Sequence, residues 1–309
     1  HVSTLVQQLL SVIAERGGAT AAELWASLVK DGAFSNITRD DFVLLLRHLG
    51  DKQLLIQDSS GLLLHGELGE KLVNHYEFYA AFASDEEFRI VCDGRLLGSL
   101  PVSHPLVPSQ RIIFGGRRWR VIDVESEKKI IVVAPDKGGA PPAFDGGAGM
   151  VHDVVRQEMR QVLMEANPVP FLDAGAAALL NEAREFYQLA DLSNNWLFTK
   201  GNDAVLLTWR GDWVNDGLAM LLAHVGLSAT NEGVALTVSG ISSDRLSDAL
   251  ADIAELPAPD PIQVLAEAKN LLREKWDWAL PEPLVRRSFA SLHLDLVGAQ
   301  ALAQALRRL

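Results

Sequence analysis

The order of hydrophobic periodicities at the start of the chain constrains the fold more than any other feature. Three segments carry apolar residues at helical spacing, and two short apolar segments separated by a polar turn follow them. In chain order these are Val6-Leu9-Leu10-Ile13, Leu24-Trp25-Leu28-Val29, Phe42-Leu45-Leu46-Leu49, 54–57 and 62–65. Three helices followed by a β-hairpin is the order of a winged helix, so we predict a winged-helix domain over residues 1–83.

Capping residues mark two of the helix starts. Thr20 with Glu23 has the spacing of a capping box, and Thr38 with Asp41 repeats a similar start. These signals predict helices that begin just after Thr20 and just after Thr38.

The middle of the chain, residues 84–145, carries short apolar segments separated by turn signals, among them the strong hairpin signal Asp93-Gly94. The predicted strands are 88–92, 96–100, 111–114, 117–122 and 130–133. This pattern predicts a small antiparallel β-barrel or sheet, followed by a Pro- and Gly-rich loop over 135–149.

The hydrophobic pattern of residues 146–309 predicts a mixed helical α/β region. The predicted fold class of the whole chain is therefore α+β. Helices are predicted at 151–164, 173–189, 214–225, 243–253 and 263–273, and strands at 196–199, 204–209 and 234–238. Four tryptophans of this region are interpreted as packing residues: Trp209, Trp213, Trp276 and Trp278.

Composition excludes several classes of protein. Of 309 residues only Cys92 is a cysteine, which excludes a disulfide framework or a cysteine-based zinc site and fits a reducing cytoplasm. No apolar segment approaches the ~18 residues of a membrane span. We therefore expect a cytoplasmic chain with no membrane partner.

A net charge of −12 by itself argues against nucleic-acid binding, but the charges are distributed unevenly along the chain. Residues 1–80 carry six basic and ten acidic side chains. Residues 81–140 carry nine basic and eight acidic side chains, and residues 141–309 carry thirteen basic and twenty-two acidic ones. Ten consecutive residues without an acid hold four arginines: Arg111, Arg117, Arg118 and Arg120. Since salt screens charges over roughly 10 Å, this basic segment can contact phosphates within an acidic chain.

Two interpretations of Trp119 stay open. Trp119 shares one strand face with Val121, while Arg118 and Arg120 share the other with Ile122. If Val121 points inward, Trp119 is a core residue and the arginines face solvent or phosphate. Alternatively, Trp119 is a platform on which a base stacks, a contact worth roughly 1–3 kcal/mol.

The third predicted helix offers Arg39 and Arg47 to a nucleic acid, but Asp40 and Asp41 offset their charge. We therefore disfavour a sequence-specific transcription factor, whose recognition helix presents side chains to base edges. A packing module and a module beside a nucleic-acid motor fit the pattern equally well.

Signatures of catalysis are absent from the sequence. Neither the G-K-[ST] tripeptide of a Walker-type phosphate loop nor a G-x-S-x-G elbow occurs. The eight histidines lack metal-ligand spacing, and His152 before Asp153 is interpreted as a helix cap. We therefore name no catalytic residue, no metal site and no cofactor in this chain.

Eight stretches of the sequence carry a family resemblance. They lie at 1–10, 64–70, 78–82, 86–89, 94–101, 116–121 (Gly-Arg-Arg-Trp-Arg-Val), 129–132 and 141–146. In order and spacing they resemble the large helicase-related (Lhr) family of superfamily 2 DNA helicases, clearly over residues 1 to about 165 and more loosely beyond. The ending near residue 309 is similar to the core-only type, which includes the kind associated with a DNA ligase.

The resemblance implies that this chain follows the two RecA-like motor domains of an ATP-dependent helicase, as a winged helix and a family-specific domain over 84–309. Such helicases move 3′ to 5′ on single-stranded DNA and are linked to DNA repair. The implied partners are single-stranded or tailed DNA, the missing motor domains, which bind ATP and Mg, and repair proteins such as a ligase or metallophosphoesterase.

The resemblance also implies roles for individual residues. Through the Gly-Arg-Arg-Trp match, Trp119 is the expected base-stacking residue, and Ile56 on the wing is an expected apolar contact with the strand. The expected phosphate contacts are Arg111, Arg117, Arg118 and Arg120, with Arg39 and Arg47 as further DNA-binding candidates.

Two alternative functions stay open. The family's C-terminal domain resembles a group of DNA glycosylases in fold, so base excision is one alternative, although no catalytic pair can be named. The other is a protein-docking platform on the acidic residues 141–309.

Overall fold

The computed structural model describes residues 2–79, 87–101, 111–125, 128–136, 149–268 and 271–307. The fold is mixed α and β, as the sequence predicts, and the chain divides into two compact units. Unit 1 comprises His1–Gly149 with Leu272–Leu280, and unit 2 comprises Met150–Leu271 with Pro281–Leu309. The division into three modules at 1–83, 84–145 and 146–309 stays a prediction.

The N-terminal part of unit 1 contains the predicted helices and hairpin. In chain order its elements are α1 (Val2–Arg16), β1 (Ala19–Thr20), α2 (Ala21–Leu24) continued by a π-helix (Trp25–Lys30), α3 (Arg39–Asp51), β2 (Leu55–Gln57) and β3 (Leu62–His65). The strands form an antiparallel sheet in the order β1-β3-β2, so the predicted hairpin has a third strand that the sequence pattern does not mark.

Both predicted capping motifs are present. The Thr20 hydroxyl accepts the N–H of Glu23 at 3.2 Å, and the Glu23 carboxylate accepts the N–H of Thr20 at 2.7 Å. At α3 the Thr38 hydroxyl accepts the N–H of Asp41 at 3.1 Å. These bonds satisfy N–H groups that the first turn of a helix leaves without partners.

A short helix and a 3-10 turn follow the hairpin: α4 (Glu67–Val73) and Tyr76–Tyr79. A glycine is required at position 69, because a Cβ there would lie 2.1 Å from the carbonyl oxygen of Leu54. The buried side chain of Gln7 donates to the carbonyl of Phe78 at 2.8 Å, which fixes the 3-10 turn against α1.

The second part of unit 1 is a five-stranded open sheet. Its strands are β4 (Glu87–Cys92), β5 (Arg95–Pro101), β6 (Arg111–Phe114), β7 (Arg117–Glu125) and β8 (Ile130–Pro135), in the order β5-β4-β8-β7-β6. The Asp93-Gly94 hairpin joins β4 and β5 as predicted, with Cys92 opposite Arg95. The predicted loop at 135–149 falls almost wholly outside the described residues, as does the family stretch at 141–146.

Of the two predicted forms, a barrel or a sheet, the described strands form an open sheet. The expectation of purely antiparallel pairing is wrong, because β4 pairs with β8 in parallel. A parallel pair needs a long connection, and the chain between β4 and β8 supplies one by forming three other strands. Local alternation reveals each strand but not its partner, which explains the error.

Unit 2 surrounds a four-stranded antiparallel sheet in the order β11-β12-β10-β9. Its elements are α5 (Asp153–Met164), α6 (Ala174–Leu189), β9 (Leu197–Lys200), β10 (Asp203–Leu207), α7 (Asp212–His224), β11 (Ala229–Asn231), β12 (Ala235–Val238), α8 (Ser243–Glu255), α9 (Pro261–Val264), α10 (Glu282–His293) and α11 (Leu296–Leu306). Helices α7, α8 and α11 share one buried core with this sheet. In the described ranges, none of the helices has the length and apolar character needed to cross a membrane.

The predicted helix at 263–273 is wrong. Helix α9 ends at Val264, and beyond its C-cap residue Leu265 the N–H groups of Ala266 and Ala268 donate to carbonyls three residues back. The chain therefore leaves α9 through turns. Helices α10 and α11, which together span most of the last 28 residues of the described chain, are not predicted from the sequence.

Candidate nucleic-acid interface

Strand β7 is anchored through Trp119. This side chain is 8% exposed and belongs to a buried cluster with Phe88, Ile90, Val121 and other apolar residues of the sheet. Its indole N–H donates to the carbonyl of Phe114 at 3.0 Å. The ring therefore packs as the core interpretation requires. Stacking on a base stays a prediction, and it would require the ring to leave this cluster.

The turn before β7 sets up that hydrogen bond. Gly115 and Gly116 both have positive φ angles, +58° and +70°, which favour glycine and form a two-residue hairpin turn. The turn places Phe114 opposite Arg117 and brings its carbonyl within reach of Trp119.

The side chains of the three arginines of β7, Arg117, Arg118 and Arg120, are exposed. Arg118 and Arg120 share the outward face with the half-exposed Ile122, whereas Arg117, at the start of the strand, alternates onto the face of Trp119. We call Arg117, Arg118 and Arg120 the arginine strand. Within the described part of the chain, the side chains of Arg117 and Arg120 make neither a hydrogen bond nor an ion pair. Their guanidinium groups are therefore available to an anion.

Spacing along the strand places the charges of Arg118 and Arg120 in a row. Residues two apart in a strand lie about 6.6 Å apart, so Arg118 and Arg120 project in one direction at that interval. On the neighbouring strand β6, backbone pairing places Arg111 directly opposite Arg120. The side chain of Arg111 lies outside the described part of the structure.

The other candidate residues lie on the N-terminal part of unit 1. Arg39 and Arg47 are exposed on α3, and Ile56 is 44% exposed on β2. The carboxylate of Asp41, which was expected to offset the arginines, accepts a hydrogen bond from the Thr38 hydroxyl at 2.8 Å. The candidates therefore form two groups, one on α3 and β2 and the other on β6 and β7.

Sequence reasoning missed a polar network in unit 2 that begins at the start of α5. The side chain of Arg210 donates twice to the Asp153 carboxylate, at 2.7 and 2.6 Å, and the N–H of Gly211 donates to its other oxygen. Burial acts to raise the pKa of Asp153, but these hydrogen bonds outweigh it and hold the pKa below its ordinary value. His152 caps α5 as predicted, since its ring accepts the N–H of Val154 at 3.2 Å.

The network continues along the first turn of α7. The amide of Asn231 donates to Asp212 at 3.4 Å and to Asp216 at 2.9 Å. Burial raises the pKa of Asp216, and the neighbouring Asp212 carboxylate raises it further, against the opposing hydrogen bond from Asn231. A carboxyl with a raised pKa beside a second carboxylate resembles the acid–base pairs of enzymes. In this chain, however, the backbone N–H of Val151 and the side chain of Arg156 also bind Asp212. We therefore assign the network a structural role, in which it joins α7 to β11 and to the start of α5.

The raised pKa of Asp216 leads to a stability prediction. A carboxyl whose pKa is higher in the folded than in the unfolded state stabilises the fold fully below its ordinary pKa of 3.8. That contribution is lost as the pH rises through the folded-state pKa, so ionised Asp216 destabilises unit 2 at neutral pH. We expect Asp216→Asn to be more stable than the wild type at pH 7, with the difference shrinking as the pH falls towards 4.

Urea denaturation at several pH values checks this prediction. The exposed Asp252→Asn on α8 is the matched control, with the same change of charge and no expected gain at pH 7. A lower free energy of unfolding for Asp216→Asn than for the wild type at pH 7 would contradict the prediction.

Neither a metal-binding group nor a matching protein assigns a function to the candidate residues. Within the described ranges, no group of three or more His, Cys, Asp or Glu side chains is arranged to hold a metal ion. No family model matches the chain, and no curated protein or solved structure matches it either. The resemblance to the large helicase-related family therefore stays a prediction from the eight stretches of sequence.

Proposed function

We propose that this chain is the DNA-binding part of an ATP-dependent 3′-to-5′ helicase involved in DNA repair in the cytoplasm, and that it helps to enclose the single strand along which the motor moves. The motor domains, with their ATP and Mg, belong to the parent protein in this proposal. The chain supplies contacts with the strand and no catalytic group of its own.

The observation that carries the proposal is the arginine strand. Three guanidinium groups within four residues project from one end of a strand whose position is fixed by the buried Trp119. Cations on a fixed strand bind a polyanion with less loss of side-chain and backbone freedom than cations on a mobile loop do. Because the side chains of Arg117 and Arg120 have no partner within the described residues, phosphate binding by these two arginines breaks no ion pair there.

The N-terminal part of unit 1 supports the proposal in a second way. Three helices and an antiparallel sheet in the order β1-β3-β2 are the elements that a winged helix requires. On this arrangement the wing is the β2–β3 hairpin, and Ile56 offers an exposed apolar side chain there. We assign Ile56 to the sugars and bases of the strand, and Arg39 and Arg47 to its phosphates.

Fluorescence anisotropy with a labelled single-stranded oligonucleotide tests the proposal on the whole chain. We expect measurable binding that weakens as salt is added, and an affinity about tenfold lower for Arg117→Ala/Arg120→Ala, because each arginine lost removes a phosphate contact. Both side chains are exposed, so the free energy of unfolding should change by less than about 0.5 kcal/mol.

The matched control is Lys200→Ala/Arg245→Ala, which removes the same charge from exposed positions of unit 2. We expect this control to bind the oligonucleotide as the wild type does. Absence of binding by the wild-type chain, or equal weakening by both double variants, would refute the proposal.

A further inference from the structure

In unit 1, residues 272–280 belong to the same compact unit as the N-terminal helices. Trp276 anchors this segment and is only 4% exposed. Its backbone N–H donates to the hydroxyl of Ser3 at 2.9 Å, and its ring meets Phe78 edge-on with 5.5 Å between centroids. The segment is thereby held against α1 and the 3-10 turn.

Four aromatic rings form a continuous line across this contact. Steps of 4.9, 5.5 and 6.3 Å between ring centroids lead from Tyr79 to Phe78, then to Trp276 and then to Trp278. The two inner rings are buried, whereas Tyr79 is 69% and Trp278 39% exposed. We call these four residues the aromatic line. Its buried middle fixes the position of two exposed ends.

Two ammonium groups lie near the rings. Lys52 Nζ lies 5.9 Å from the ring centre of Trp278. Lys275 Nζ lies 5.4 Å from that of Trp276 and also donates a hydrogen bond to the carbonyl of Glu77. The carboxylate next to Trp276, that of Asp277, is 3% exposed and accepts two backbone N–H groups, so its charge is directed into the fold. Lys52 therefore places a positive charge beside the exposed ring of Trp278.

We propose that the aromatic line is a second contact for single-stranded DNA, in which bases stack on Trp278 and Tyr79 while Lys52 neutralises a phosphate. Aromatic platforms combined with cations are the means by which proteins bind single strands without reading their sequence. The inference rests on the proposed function, and it assigns base stacking to exposed rings in place of the buried Trp119.

Two oligonucleotides of about 20 nucleotides, an oligothymidylate and a fully abasic strand, separate the contribution of base stacking from that of phosphate charge. We expect the wild-type chain to prefer the strand with bases. Trp278→Ala should weaken binding to that strand roughly tenfold and leave binding to the abasic strand nearly unchanged. Tyr79→Ala should act in the same direction.

Tyr76→Ala is the matched control, because Tyr76 is 84% exposed but its ring contacts His75 and lies outside the aromatic line. We expect it to bind both strands as the wild type does. Lys52→Gln, which leaves every ring in place, should weaken binding to both strands alike. Unchanged binding by Lys52→Gln would overturn the phosphate role of this lysine.

The outcomes distinguish this inference from the proposed function. If Trp278→Ala and Tyr79→Ala bind both strands normally while Arg117→Ala/Arg120→Ala is weakened, the inference is wrong and the proposed function stands. If the wild-type chain binds neither strand, both fail. If Trp278→Ala and Tyr79→Ala bind the oligothymidylate more weakly but the abasic strand normally, the inference is supported. That result would also exclude that this surface serves only as a docking site for a protein.

Discussion

Replacing Trp119 by alanine is expected to lower the free energy of unfolding of unit 1 by about 3–5 kcal/mol, as for other buried aromatic side chains. The ring is 8% exposed among Phe88, Ile90, Val121 and their neighbours, so its removal leaves a cavity between strands. The variant also loses the bond from the indole to the carbonyl of Phe114, at 3.0 Å. The hairpin that presents the arginine strand would lose its anchor.

Urea denaturation followed by circular dichroism measures this effect. Trp119→Phe keeps an aromatic ring and should retain more than half of the lost stability, whereas the exposed neighbour Arg120→Ala should stay within about 0.5 kcal/mol of the wild type. A Trp119→Ala variant that is as stable as the wild type but binds DNA poorly would contradict the core role and favour stacking on a base.

The second large effect is expected at Asn215, which is completely buried on α7 of unit 2. Its carbonyl oxygen accepts the hydroxyl of Thr208 at 2.7 Å, and its amide donates to the carbonyls of Gly233 at 2.7 Å and Arg210 at 3.1 Å. Leucine has a similar volume but cannot form these bonds. Each buried polar group left without a partner costs about 1–3 kcal/mol, so Asn215→Leu should destabilise unit 2 by roughly 3 kcal/mol or more.

The same denaturation experiment tests Asn215→Leu. The control is Gln188→Leu, an exchange of amide for leucine at an exposed position of α6, which should change stability by less than about 0.5 kcal/mol. Equal stability of the Asn215→Leu variant and the wild type would show that this hydrogen-bond network does not hold the loop around Arg210 in place.

Local signals in the sequence predicted local structure well. The capping box at Thr20, the hairpin at Asp93-Gly94 and the alternation around Trp119 each depend on residues a few positions apart, and the structure confirms all three. The exposed side of β7 followed from the same alternation. These features could be predicted because neighbouring residues alone determine them.

Features that depend on distant residues could not be predicted. The parallel pairing of β4 with β8 is set by which strands meet, and no residue within either strand marks it. Trp278, interpreted from sequence as a packing residue, is 39% exposed beside Lys52, a residue more than two hundred positions earlier in the chain. The polar network around Asp216 likewise joins α7 to β11 and to the start of α5.

The salt dependence of single-strand binding tests the central claim most directly, because it counts the phosphates that the chain neutralises. Each phosphate contact with a single strand contributes about 0.7 to the slope of log affinity against log salt concentration. Our account predicts a slope about 1.4 shallower for Arg117→Ala/Arg120→Ala than for the wild type, and an unchanged slope for Lys200→Ala/Arg245→Ala. Identical slopes for the wild type and Arg117→Ala/Arg120→Ala would contradict the claim that the arginine strand binds the DNA backbone.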